Sequence, residues 1–283
     1  MDISVEFWWL FLSAVSVINI IAWITSVYIF TGNKRNKKVK PNILAMRQVM
    51  LWCSGIYVAV CAFRSFLPRI DLERICLVDS VLSNMFIGRS AATVAEIAFI
   101  VQCAILLHEA GRGVGDRLAI AISLSLIPII VIAEGFSWHA MLTTNYLGSV
   151  IEESLWAISG ILMLISFLSL WPHVKNRHKT FLNSMIMFTV GFIVFMLAVD
   201  VPMYITRWTA DTAAGVQYLS LTNGVVDSLQ ACTVNFNRDI WSEEIPWMTL
   251  YFTGAVWVSI ALPLAPNYKD VIKKSSRKSA KLK

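Results

Sequence analysis

The sequence predicts an all-α, polytopic membrane protein with seven transmembrane helices, its N-terminus outside and its C-terminus in the cytoplasm. Three observations carry this. Hydrophobic residues make up 57% of the 283 and charged residues only 15%, against roughly 45–50% and about 25% in soluble chains. Seven apolar runs reach the roughly 20 residues that a helix needs to cross a bilayer. Lysine and arginine crowd the connections on one side of those runs, which is the positive-inside pattern.

The first span covers 7–30. The stretch before it, MDISVE, is acidic and no small-residue cleavage site follows, so no cleaved signal peptide is expected. A basic loop, TGNKRNKKVKPN, leads to the second span, 48–67, which stops at Pro68. The connection PRIDLERICLVDS, mixed in charge, precedes the third span, 84–107. After the glycine-rich turn HEAGRGVGDR, Asp116 is placed to cap the fourth span, 117–134. The loop GFSWHAMLTTNYLG leads to the fifth, 149–170, and the basic loop WPHVKNRHK to the sixth, 181–201, ended by Pro202. The seventh span is 247–265.

The connection 203–246 is long for a structureless loop. Val216, Leu219, Val226 and Leu229 mark a short amphipathic helix in it, and the whole reads as an outer lid. Trp208, Trp241 and Trp247, with Trp8, Trp9 and Trp138, fall where an outer aromatic belt would lie. Residues 1–265 thus form the membrane domain, and 266–283 a basic tail expected to be disordered.

Segments 31–47, 108–117, 171–181 and 266–283 hold 18 of the 24 basic residues and only three of the 18 acidic ones. This places them in the cytoplasm. It also disposes of a nucleic-acid reading of the net charge of +6, because the basic groups sit in short loops and a tail rather than on one groove. No internal repeat is present, which weakens the repeat-built transporter architectures.

The third span carries the informative residues. Arg89, Thr93, Glu96, Ile100 and Cys103 recur at helical spacing and share a face. A charge in the hydrocarbon region costs a few kcal/mol or more unless it faces protein or water. Other ionisable or polar groups fall in the same outer half: Arg64, Glu134, His139, Asn145, Glu152, Glu153, Asp200 and Arg207. The inner halves hold only neutral groups such as Thr25, Ser54, Gln102, Ser123, Ser125, Ser166 and Thr189. The expected arrangement is an outward polar pocket closed below by apolar packing, unlike a channel lined through to the far face.

Within that pocket Glu96, Glu134 and Glu153 are the candidate catalytic groups, as acid–base or metal-binding carboxylates. Glu134 ends the fourth span, where a carboxylate meets the unfavourable end of the helix dipole. Glu152 fits a capping box with Ser149, and Glu243 and Glu244 fit the first turn of the seventh span. Arg89 lies seven residues from Glu96, roughly 10 Å along the axis, and is expected to pair instead with Glu134 or Asp200. Arg89, His139, Asn145, Asp200 and Arg207 are the candidate ligand-binding residues, Arg89 or Arg207 holding an anionic head group. His139 is the one histidine on the outer side, and there is no HExxH or paired-histidine motif, so no metal site and no cofactor is assigned. Cys76 and Cys232, both in outer connections, can form a disulfide; Cys53, Cys61 and Cys103 read as packing residues.

Seven spans with the N-terminus outside is also the arrangement of the rhodopsins. The seventh span, WMTLYFTGAVWVSIALPLA, has no lysine for a retinal Schiff base, and one outer histidine does not supply the histidine pairs of seven-span zinc hydrolases. The functional expectation is a protein of the plasma or bacterial inner membrane whose partners are the lipid bilayer and a small-molecule or lipid ligand. Its pocket would bind a small polar or amphipathic molecule, with or without chemical processing. The alternatives are a secondary transporter or channel, and a non-catalytic receptor, sensor or assembly factor.

Overall fold

The structure, a computed structural model, describes residues 4–32 and 41–265. The basic loop 33–40 and the tail 266–283 lie outside the described residues. Among the described residues seven helices are long and apolar enough to cross a membrane: α1 (Val5–Gly32), α2 (Pro41–Phe66), α3 (Met85–Val114), α4 (Arg117–Thr143), α5 (Tyr146–Leu170), α6 (Asn176–Ala214) and, after two short helices α7 (Leu221–Ser228) and α8 (Arg238–Trp241), α9 (Glu244–Leu264). Their apolar outer faces suit contact with lipid, as in a multi-pass membrane protein.

The long helices run up and down. Each packs on the next from α1 to α6, and α9 closes back on α1, α2 and α3. Between α6 and α9 the ring scarcely closes. There the Phe188 ring of α6 leans over Gly254 of α9, where an added Cβ would lie 3.3 Å from it.

Several helices exceed their predicted bounds. The segment GFSWHAMLTT was expected to be a loop, yet α4 continues through it to Thr143, so Glu134 lies inside the helix rather than at its end. Asn145, not Ser149, caps α5, its side chain accepting from the Leu147 N–H at 2.9 Å. The predicted capping box is therefore absent and Glu152 is released to face the bundle. Pro202 does not end α6. A proline cannot donate to the carbonyl four residues back, and the helix absorbs this as a π turn over Met196–Asp200 and continues to Ala214. A second π turn, Tyr251–Ala255, interrupts α9. The outer connection thus shrinks to about 215–243; its short helix, α7, takes in only Val226 of the four residues that forecast an amphipathic helix there, with Val216, Leu219 and Leu229 outside it.

That connection is clamped over one end of the bundle, the capped end. Strands β1 (Arg69–Ile70), β2 (Ile75–Cys76) and β3 (Thr233–Val234) form a small sheet, β1–β2 antiparallel and β2–β3 parallel. Cys76 and Cys232 are disulfide-bonded, as anticipated. Arg74 takes a left-handed backbone (φ 59°) that points its guanidinium at Asp227 (2.6 Å) and at the Met141 carbonyl (2.9 Å), joining hairpin, α7 and α4. Gly224 is dictated by contact, since a Cβ there would lie 1.9 Å from the Leu142 carbonyl oxygen. Trp8 and Trp241, expected in an aromatic belt, are instead buried together, their ring centroids 5.8 Å apart.

Asp116 caps α4 as predicted, accepting from the Leu118 and Ala119 N–H groups, and also from the Ser169 hydroxyl of α5. Burial alone would raise its carboxyl; the hydrogen bonds outweigh burial and hold it below its ordinary value. A depressed acid stabilises the fold above its unfolded pKa and loses that contribution as pH falls through the lower folded value. Asp116→Ala should therefore cost about 0.5–2 kcal/mol at neutral pH. Thermal unfolding in detergent should show the gap between variant and wild type closing below about pH 4. The disulfide joins residues 156 apart, and its loss should cost about 2–5 kcal/mol. Cys76→Ser and Cys232→Ser should give the same mobility change on a non-reducing gel; unequal changes would reject the pair.

Candidate functional site

The polar face of α3 is buried against α4, α5 and α9. Arg89, 8% exposed, is the centre of a charge cluster. Its Nη2 lies 3.1 Å from Glu96 Oε1 and 3.3 Å from Glu134 Oε2, and its Nη1 3.6 Å from Glu152 Oε1. The expectation that seven residues were too far for Arg89 to reach Glu96 is overturned: the extended side chain runs along its own helix and closes the gap. The pairing with Glu134 is present; with Asp200 it is not. Thr93 donates to Glu134 Oε2 at 2.6 Å and accepts from the Trp138 indole at 3.0 Å. Tyr251, on the π turn of α9, donates to Glu96 Oε1 at 3.3 Å.

One oxygen each of Glu96, Glu134 and Glu152 fall within 4.8 Å of one another, a spacing open to a metal ion. A guanidinium already lies against all three carboxylates, so a divalent ion would be repelled by a fixed cation beside it. This donor set is better matched to Arg89 than to a metal.

Arg207 organises a second cluster nearer the capped end. It pairs with Glu73 (3.1 Å), Glu243 (2.7 Å) and Glu244 (3.1 Å), and its guanidinium carbon lies 5.6 and 5.7 Å from the Tyr146 and Tyr204 rings. Tyr146 donates to Glu73 at 2.7 Å and Trp247 to Glu244 at 2.5 Å. Glu244 is thus buried in an ion pair, a role that its place at the helix start had concealed.

Arg69, between α2 and α3, fills a third position. Its Nη1 donates to the Leu82 and Asn84 carbonyls, both at 3.2 Å, and its Nε lies 3.9 Å from Asp71. It presses on Gly88 so closely that a Cβ there would lie 2.1 Å from the guanidinium carbon. Burial pulls this guanidinium down to about 10, with Asp71 opposing and Arg64 and Arg89 assisting.

These clusters border one cavity of about 480 Å³. Arg64, Arg69, Arg89 and Arg207 line it, against Asp71, Glu73, Glu96, Glu152, Glu153, Asp200 and Glu244. The lining is therefore richer in acid than in base. The cavity does not stop at the polar groups. It runs on past Met163, Phe167, Phe188 and Phe192 to Leu262, where apolar packing had been expected to seal it.

Of the other expected site residues, Glu153 and Asp200 stand beside one another on this cavity. His139 is exposed and not among its walls, and Asn145 serves as the α5 cap. Arg64, Glu73, Asp71 and Tyr251 border the cavity without having been assigned to the site. Only Arg64 carried a signal, as a charge within a predicted span. Comparison with protein-family models, with curated proteins and with solved structures gave no match.

Removing Arg89 would leave three buried carboxylates without their cation. Arg89→Ala should cost about 3–5 kcal/mol. Glu153→Gln, which relieves a like-charge contact with Asp200, should leave stability unchanged or raise it. Thermal unfolding of the two variants in one detergent checks the order; equal losses would remove Arg89 from its central position.

Proposed function

We propose that the protein binds an amphipathic molecule in this cavity, its head among the charged groups near the capped end and its hydrocarbon along the phenylalanines of α6. One observation carries the reading. A single cavity of ligand-binding size joins a cluster of intramembrane charges to a wall of Phe188, Phe192 and Phe195. The loosely packed seam supplies a route from the bilayer: Phe188, Gly191 and Leu250 both line the cavity and are exposed on the bundle surface. On this reading Arg89 and Arg207 are not free for an anionic head, since each already holds three carboxylates. Glu96 and Glu134, held by Arg89, act as its frame; Glu153 and Asp200 are the acids left to meet a ligand.

We further infer that the capped end faces outward. The disulfide there suits an oxidising compartment, and the described basic residues Arg47, Arg112, Arg117, Lys175 and Lys179 fall at the opposite helix ends.

A transport reading has one observation in its favour. A smaller cavity of about 90 Å³ at the opposite end, bordered by Arg47 and Glu109, shares Leu106, Phe167, Met185 and Leu262 with the first. Movement of a labelled amphiphile between leaflets of proteoliposomes would favour it over simple binding.

Gly191 tests the cavity. A Cβ there meets nothing within 4 Å, and replacing a helical glycine improves helix propensity by up to about 1 kcal/mol. Gly191→Trp should fold, fill the opening and abolish retention of co-purifying lipid, read by native mass spectrometry. Undiminished lipid retention by the folded variant would reject the cavity as the binding site.

A further inference from the structure

Pairing the charges around the cavity leaves a remainder. Arg89 is matched by Glu96, Glu134 and Glu152, and Arg207 by Glu73, Glu243 and Glu244. Arg69 lies near Asp71. Three charged linings are then left: Arg64 on α2, Glu153 on α5 and Asp200 on α6.

Arg64 is 5% exposed, and among the described residues it makes neither an ion pair nor a hydrogen bond. Its guanidinium carbon lies 5.8 Å from both the Trp247 and Phe252 ring centroids. Such contacts are worth about 0.5–2 kcal/mol and leave the five N–H donors of the guanidinium unused. Its nitrogens are not among the sealed, partnerless atoms, unlike Nε of Arg89 or Arg69, and Arg64 lines the cavity. A buried cation with open donors calls for an anion.

On a different wall, Asp200 and Glu153 are hydrogen-bonded to one another, and among the described residues neither meets a base within ion-pair distance. The π turn ahead of Pro202 contains Asp200 and is the local distortion that sets its direction. Two adjacent carboxyls in a desolvated site repel one another unless a shared proton or a cation stands between them. An ammonium with three rotatable donors suits that place better than a planar guanidinium.

Resting on the binding reading above, we propose that the ligand is a zwitterionic amphiphile. Its anionic group, phosphate or carboxylate, engages Arg64, and its ammonium lies against Glu153 and Asp200. A purely anionic head would leave the acid pair uncompensated, and a purely cationic one would leave Arg64 without a partner. The zwitterion satisfies both without adding net charge to a low-dielectric site.

The test uses the full-length protein in detergent with five hexadecyl probes: a phosphoethanolamine, an α-amino acid, a phosphate, an amine and the neutral alcohol. At least one of the two zwitterions should bind about tenfold or more tightly than the alcohol, as expected for a charge-assisted contact. Which one does so identifies the anionic group. Arg64→Gln should weaken the favoured zwitterion and the phosphate but spare the amine. Asp200→Asn should weaken the zwitterion and the amine but spare the phosphate, and it carries the same contrast should Arg64→Gln not fold. Zwitterions that bind no better than the alcohol, or variants without this crossed pattern, overturn the head-group assignment while leaving the cavity as an apolar binding site. If no probe binds, the alcohol included, the binding reading itself falls.

Discussion

The bundle depends on one buried guanidinium. Arg89 meets carboxylates from its own helix, from α4 and from α5, and Glu96 passes the connection on to α9 through Tyr251. In a low-dielectric interior such a group is tolerated only with its counter-charges in place. The register of four helices is thereby fixed at one depth. Sliding α4 by a turn would carry Glu134 about 5.4 Å away and break the contacts to both Arg89 and Thr93. Apolar packing alone, between helices whose outer faces are equally apolar, distinguishes one register from another far less sharply.

The two ends of the bundle solve different problems. At the capped end the connections must cover a charged interior, and they do so with fixed elements: a sheet, a disulfide, Arg74 and the close approach of Gly224 to α4. Toward the other end the interior holds fewer charges, Arg47 and Glu109 among them. There Gln102 of α3 and Ser259 of α9 bond at 2.9 Å, and the amide orientation that satisfies both its ends also accepts the Ser54 N–H of α2. Such neutral contacts cost little to bury, so this half carries the cavity's hydrocarbon walls. The two π turns lie in the two helices that flank the seam. Each interrupts the regular i±4 ridges on which tight helix–helix packing relies.

The seven helices were legible because a bilayer-length apolar run is a strong signal. The polar face of α3 was equally so, since Arg89, Glu96, Ile100 and Cys103 are all buried. Helix ends were not. Composition turns polar at GFSWHAMLTT, but those side chains find partners: Ser137 and Thr143 are buried, and Trp138 reaches Thr93. A loop reading assumed that polar residues leave the helix. Pro202 misled in the same way, because a π turn can carry a proline through a helix. The pairings were hidden for a different reason. Glu73, Glu152 and Glu244 look like solvated or capping acids along the chain, and only the fold shows that each meets an arginine. Arg64 was visible as an intramembrane charge. That it stays unpaired is a property of every other side chain, which no local pattern records.

Buried ion clusters are poor devices for stability, and apolar replacements of equal volume often serve as well or better. That argues against treating all the charge around this cavity as scaffold. Arg89 and Arg207 have a structural explanation, because each pairs with carboxylates from more than one element of the fold. Arg64, Glu153 and Asp200 have a weaker one: Arg64 meets only the Trp247 and Phe252 rings and the two acids only each other, without an opposite charge to offset their desolvation. Two of them fall where the bundle is most weakly closed, on α6 and the adjoining α5. If stability alone had shaped this chamber, these would be the first residues to be replaced by leucine or methionine. On the proposed reading, their presence beside an apolar chamber bordered by the α6–α9 seam is what separates a binding site from a packing defect.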